Sequence, residues 1–209
     1  MTITLYNYEL DEGSYRVRML LSILGVEHDI YSVNMLPGEE EKSLALRAIN
    51  PCGSMPFMTE GDRTIFGTEA ILAHLARHHD ASGLWLPMDG EDFTQTMMWL
   101  GFASGPLKAA AEARALAVFG TPGDLDGQRA KARAAFRIMD DHMTLRHIAG
   151  EEWFAAANPT IADLALLPSF ALSRDFNIDH EEFPALRRWL RRFRRIKGFI
   201  TMPGIPDYH

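Results

Sequence analysis

A change of hydrophobic rhythm near residue 80 limits what this chain can fold into more than any other feature. Before it, short apolar strands alternate with helices; from Phe93 onward no convincing strand appears. Ile3 to Tyr8 reads as a strand. Tyr15 to Leu24 spaces Val17, Met19, Leu20, Leu21, Ile23 and Leu24 as a helix does, and Gly25 stops it. His28 to Val33 is a second strand, and Glu39 to Ile49 a second helix. Met55 to Thr59 and Thr64 to Phe66 are strand-sized and joined by the turn residues Glu60, Gly61 and Asp62. Thr68 then opens a third helix, with Ile71, Leu72 and Leu75 on one face. A strand-helix-strand crossover makes the first two strands parallel, and the glycine turn makes the last two antiparallel. A mixed four-stranded sheet with helices on both faces follows.

His79 to Gly90 carries Gly, Pro, Ser and Asp and reads as a linker, giving domains at 1–79 and 91–209. The second domain reads as a helical bundle. Phe93 to Phe119 is rich in Ala, Met and Leu and ends at Gly120-Thr121-Pro122-Gly123; Leu125 to His147 is another long helix. Thr160-Ile161-Ala162-Asp163 has the form of a capping box, with Asp as a short version of the usual Glu. Leu186, Trp189, Leu190, Phe193 and Ile196 line one face of a last helix.

Cys52 is the only cysteine, which excludes an intramolecular disulfide and any Cys-x-x-Cys centre. The formal charge of -7 argues against general nucleic-acid binding, which needs a positive field. Arg187, Arg188, Arg191, Arg192, Arg194 and Arg195 share a helix with an apolar stripe, so they read as a solvated face. The eight histidines show no metal spacing; His142 and His147 are five apart, and His78-His79 sits in the linker, so no metal is expected. No apolar run nears the roughly 20 residues that span a bilayer, and Thr2 to Tyr8 lacks the flanks of a signal peptide. A cytoplasmic protein without membrane contact is the expectation.

Three stretches carry a family likeness: Asn50-Pro51-Cys52-Gly53-Ser54-Met55-Pro56, Thr64 through Leu72 with Gly67-Thr68-Glu69-Ala70-Ile71 at its centre, and Asn158-Pro159-Thr160-Ile161-Ala162-Asp163 followed by Phe183-Pro184, Leu186 and Trp189. In this order and spacing the chain resembles the cytosolic glutathione transferases of the bacterial, hydroxyl-using, zeta- or theta-like kind. The resemblance covers nearly the whole chain. It implies an α/β thioredoxin-like first domain that holds glutathione as co-substrate, an all-α second domain, a homodimer and a role in detoxification. It further implies a cis Pro56 that turns the preceding backbone outward, so that Met55, next to Ser54, pairs with the tripeptide like an added strand. Thr68 at a helix start, with Gly67 and Glu69 around it, corresponds to the anion site for the γ-glutamyl carboxylate; a plain N-cap is the other reading of its hydroxyl.

The pattern also departs from the family. Gly67 replaces an acidic or amide residue that helps hold the ligand's amino group; Glu69, two residues on, substitutes if it turns toward the pocket, the other readings being a side chain in solvent or against a dimer partner. Glu39-Glu40-Glu41 replaces basic residues near the glycine carboxylate, leaving Lys42 or Arg47 as cations. The place of the thiol-activating hydroxyl falls on Asp11 or Glu12, and a carboxylate there would raise the thiol pKa. A free thiol, with pKa about 8.5, is only a few per cent thiolate at pH 7. One hydrogen bond worth about 1.5–3 kcal/mol lowers that by about 1–2 units. Ser14 at the helix start is the first candidate for that bond and Tyr8 the second, with Tyr6 on the same strand face. Cys52 reads as a partly buried structural thiol. Met98 and Phe102, on the stretch with Met97 and Trp99, are the weaker candidates for bordering a pocket for a small hydrophobic electrophile. Glutathione transfer is the leading function; the alternatives are a non-catalytic glutathione-binding or protein-interaction module, or glutathione-dependent isomerase or reductase chemistry.

Overall fold

The computed structural model describes residues 2–88, 90–203 and 205; the expected domain limits at 1 and 209 lie outside them. The chain divides into two units: the first holds residues up to Ala81 together with Lys197–Pro203, and the second Ser82–Ile196.

In the first unit, β1 (Ile3–Asn7), β2 (Asp29–Ser32), β3 (Phe57–Glu60) and β4 (Arg63–Phe66) form one sheet of order β2-β1-β3-β4. β1 and β2 are parallel with Leu5 opposite Ile30, whereas β3 runs antiparallel to β1, with Met58 opposite Leu5, and to β4, with Met58 opposite Ile65. The alternation of β1 explains its place: Ile3, Leu5 and Asn7 are buried, and Thr4 and Tyr6 only half so. Helices α1 (Glu12–Leu24) and α3 (Thr68–His79) pack on each other. Gly25, at φ 65°, closes α1 with its N–H on the Leu21 and Ser22 carbonyls.

The second helix is shorter than its expected span. Glu39 takes a left-handed φ of 48°, Glu40–Lys42 is a single 3-10 turn, and α2 runs only over Leu44–Ile49, capped by Ser43. The Glu40 carboxylate accepts from the Tyr31 hydroxyl at 2.6 Å and from the Asn34 N–H at 2.8 Å, which ties the acidic run to the loop after β2 instead of to a helix.

The segment Lys197–Pro203 belongs with the first unit, although the expected helical domain ran through it. The Tyr15 hydroxyl donates to the Ile200 carbonyl at 2.7 Å, and the Ile200 N–H points at the Met19 sulfur at 3.3 Å. Gly198 lies so close to α1 that a Cβ there would stand 2.7 Å from the Ile23 Cα.

The second unit is helical. The stretch expected as one helix from Phe93 is two, α4 (Gly90–Ser104) and α5 (Lys108–Phe119). Pro106 lacks the N–H that would continue the ladder, and the chain resumes with the Leu107 N–H on the Phe102 carbonyl. α6 (Leu125–Ile148) packs on α5 and α8 (Pro184–Phe193). Every residue of α7 (Ile161–Ala171) is buried, as expected of a helix apolar on all sides. Its capping box is formed as the sequence indicates: Thr160 caps the Ala162 N–H at 3.2 Å, and Asp163 accepts from the Thr160 N–H at 3.0 Å. No helix among the described residues is long and apolar enough to cross a membrane.

Candidate functional site

Three chain segments of the first unit meet at Gly13. A methyl group placed there would stand 2.7 Å from the Pro56 Cδ, 2.7 Å from the Thr68 hydroxyl oxygen and 3.1 Å from an Asp11 carboxylate oxygen. The start of α1, the loop before β3 and the start of α3 therefore share one small space, which exists because residue 13 has no side chain. Nothing in the sequence around Gly13 marks this role, because the atoms that crowd it come from the distant Pro56 and Thr68.

The loop before β3 is shaped by Asn50, whose side chain is buried. Its amide donates to the Ser54 carbonyl at 2.8 Å, and its oxygen accepts from the Cys52 N–H at 3.1 Å. The Gly53 N–H returns to the Asn50 carbonyl, with Gly53 at φ 61°. Beyond this clamp Ser54 is exposed, and the Met55–Pro56 peptide is cis, as the resemblance implies; Leu36–Pro37 is cis as well. The Met55 side chain packs against the cluster of Val33, Leu46 and Phe57, while its N–H and C=O find no partner among the described residues. Cys52 is exposed, which corrects its reading as a partly buried thiol: the Asn50 clamp turns the loop tip outward.

The start of α3 also differs from its expectation as a Thr68 cap. Gly67 is the cap residue and makes no side-chain hydrogen bond; Thr68 is the first residue of the helix. Gly67 has φ 87° and ψ 120°, with open space where a Cβ would go. That conformation suits glycine and strains other residues, which gives a backbone reason for the absent acidic side chain. The first intrahelical bond runs from the Ile71 N–H to the Gly67 carbonyl, so the N–H groups before it face outward with the positive end of the helix dipole. Thr68 and Glu69 are both half-buried here.

At the start of α1, Asp11 is the N-cap and its carboxylate accepts from the Ser14 N–H at 2.5 Å. Burial pushes the Asp11 carboxyl up from its ordinary value, against the pull of its Ser14 hydrogen bonds and of Arg16 and Arg18. Ser14 is fully buried, and its oxygen accepts from the Tyr8 N–H at 3.2 Å. Tyr8 lies just past β1 and is half-buried, and its hydroxyl has no hydrogen-bond partner among the described residues. Tyr6 stacks on Phe57, ring centres 4.1 Å apart, and so serves the core. Arg18 holds the segment between β1 and α1, reaching the Asn7 side chain, the Tyr8 carbonyl at 3.4 Å and the Glu9 carbonyl at 3.0 Å.

Of the two cations left open by the sequence, Lys42 is paired with Glu39, whereas Arg47 is exposed beside Gly53. On the second unit, Met98 and Phe102 line an apolar groove with Trp99, Gly101, Pro106 and Ile138.

A sheet of this order carrying a cis-proline loop against a helix start, followed in the chain by a helical unit, defines a thioredoxin-like two-unit protein. Residues 1–77 match the model of the glutathione S-transferase N-terminal domain, and 123–197 that of its C-terminal domain. The chain belongs to the glutathione S-transferase family. It is 26% identical over 192 residues to glutathione S-transferase D7 of Drosophila melanogaster, covering 90% of this chain and 83% of that protein. It is 27% identical over 214 residues to a zeta-class glutathione S-transferase of Euphorbia esula, covering 98% and 90%. Among solved structures, that of a possible glutathione S-transferase from Rhodopseudomonas palustris superposes with a TM-score of 0.86 at 27% identity, covering 99% of this chain and all of that one.

Proposed function

We propose that this protein is a glutathione transferase: it binds glutathione along Met55 and presents its thiolate to a small hydrophobic electrophile. The observation that carries this is the unpaired Met55 main chain next to the space shared by Gly13, Pro56 and the Thr68 hydroxyl. In this reading the Met55 N–H and C=O pair with the cysteinyl part of the tripeptide, next to Ser54 and Pro56. The γ-glutamyl carboxylate accepts from the Thr68 hydroxyl and the free N–H groups at the start of α3. Glu69 takes the ligand's amino group, with Gly67 keeping the approach open. Arg47, free of an acidic partner in the described hydrogen bonds and ion pairs, faces the glycine carboxylate.

The thiol then needs a donor. Ser14 and Tyr8 are the two hydroxyls proposed for it. The Ser14 oxygen is enclosed between the Tyr8 N–H and Asp11, while the Tyr8 hydroxyl is uncommitted, and that favours Tyr8. The thiolate, its proton given up to solvent, bonds to the electrophilic carbon, which expels its leaving group to solvent or, in an addition, takes up a proton from water; the step calls for no metal. The Met98 and Phe102 groove is the surface proposed for the electrophile. A cytoplasmic homodimer engaged in detoxification, without nucleic-acid or membrane partners, completes the reading; exposed Phe66 is apolar surface that a second copy would cover.

A second reading, a glutathione-binding module without catalysis, draws on Asp11, whose carboxyl stands where the family resemblance puts the activating hydroxyl. One experiment separates the two. Glutathione affinity is measured by calorimetry, and the pKa of the bound thiol by thiolate absorbance at about 240 nm. For a transferase the bound thiol titrates about 1–2 units below its free value, and Tyr8→Phe removes the shift. Binding with an unshifted thiol selects the module instead. No binding at all sinks both.

A further inference from the structure

Away from the α3 N-terminus, the second half of the same helix and the end of β3 carry an unassigned cluster. The Glu60 carboxylate, at the end of β3, meets the His74 Nε2 at 2.6 Å through one oxygen and the His79 Nε2 at 2.8 Å through the other. The three side chains are largely buried, at 12%, 13% and 25% exposure for Glu60, His74 and His79. One ligand atom from each lies within 4.8 Å of the other two. The sequence could not suggest this group. His74 and His79 are five apart, off the usual ligand spacing, and the third member comes from a different element. The backbone makes the match: β3 and α3 pack on each other, and the second half of α3 brings His74 and His79 to different oxygens of the Glu60 carboxylate.

We infer that Glu60, His74 and His79 form a binding site for a divalent transition metal of the zinc type. Imidazole nitrogen with one carboxylate oxygen is a donor set that such ions favour, and three protein ligands leave a fourth position for water. A tetrahedral ion with bonds of about 2.1 Å keeps its ligand atoms about 3.4 Å apart, so small side-chain rotations complete the set. A bound ion would take the Nε2 lone pair of each imidazole, with the ring proton on Nδ1. His78 lies beside His74 with the rings tilted and their centres 4.6 Å apart, but it is exposed and outside the triad. The bound ion would fasten the β3–β4 end of the sheet to the end of α3.

The test uses the full chain, freed of metal by chelation and titrated with Co²⁺ and then Zn²⁺. One ion per chain is expected, with visible Co²⁺ bands that Zn²⁺ displaces. His74→Gln, His79→Gln and Glu60→Gln should each weaken uptake at least tenfold, whereas His78→Gln leaves it unchanged. Because Glu60→Gln could disturb folding, X-ray absorption of the zinc-loaded wild type gives an independent reading: two imidazole shells and oxygen. No stoichiometric uptake, a sulfur ligand from Cys52, or full affinity in Glu60→Gln overturns the site. None of these readouts depends on glutathione, so this inference and the transferase reading fail separately.

Discussion

Adding a single carbon at Gly13 sets two effects against each other. Alanine is favoured over glycine inside a helix by about 0.5–1 kcal/mol. Here, however, the methyl would stand 2.7 Å from both the Pro56 Cδ and the Thr68 hydroxyl, and overpacking of that kind costs about 1–3 kcal/mol. The clash should win, because Pro56 is itself buried next to β3 and cannot retreat without moving that strand. Gly13→Ala is expected to lower stability in urea by about 1–2 kcal/mol and to weaken glutathione binding at least tenfold. A variant that is more stable and still binds would refute the close approach. The same residue shows the limit of sequence reading at this scale. Ser14, Tyr8 and Thr68 were visible as hydroxyls at plausible places. The steric reason for Gly13 was not, because it depends on what two distant segments place opposite it.

Among the elements, α7 is held by one carboxylate. Asp163 accepts from the Thr160 N–H, from the Phe154 N–H at 3.0 Å and from the Trp189 indole N–H at 3.0 Å, joining the helix start, the preceding loop and α8. Asparagine in its place would turn one acceptor into a donor facing donors. Asp163→Asn should therefore cost about 3 kcal/mol, more than an ordinary cap, and a smaller loss in urea unfolding than about 1 kcal/mol would show the carboxylate to be replaceable. A second carboxylate works the same way: Asp140 of α6 accepts from the Ala185 and Leu186 N–H groups at 2.8 and 2.9 Å, capping α8 from another helix. The capping box was legible because it is local, with its four residues in sequence. Asp140 was not, because its partners lie some distance along the chain. The same contrast runs through the strands and helices: the four strands and α1 were readable from period and glycine punctuation, whereas the 3-10 turn at Glu40–Lys42 and the break at Pro106 were overrun by a pattern that favoured helix on both sides.

Over the whole molecule, acid should weaken the fold in two separate windows. His180 and His142 are pushed below their ordinary values by burial, His180 while bonded to the Phe170 carbonyl at 2.9 Å. The unfolded chain takes up these protons near pH 6.5 and the folded chain only at lower pH. Stability is thus retained above about pH 6.5 and lost as pH falls below it. Glu182, lowered by its Arg133 hydrogen bond, adds a loss only below about pH 4.5. The urea midpoint should drop between pH 7 and 5.5, with a shallower drop in His180→Gln; an equal slope in both would remove His180 as a cause. The division into an α/β part and a helical part was legible from the change of rhythm near residue 80, but the return of Lys197–Pro203 to the first unit was not, since nothing in those residues names α1 as their destination. That return has a consequence for biosynthesis. The strands and helices of the first unit leave the ribosome before the helical unit, yet the stretch that accepts the Tyr15 hydroxyl emerges only after Ser82–Ile196 has been made. The first unit must wait, its α1 flank uncovered, until the stretch Ser82–Ile196 has been synthesised.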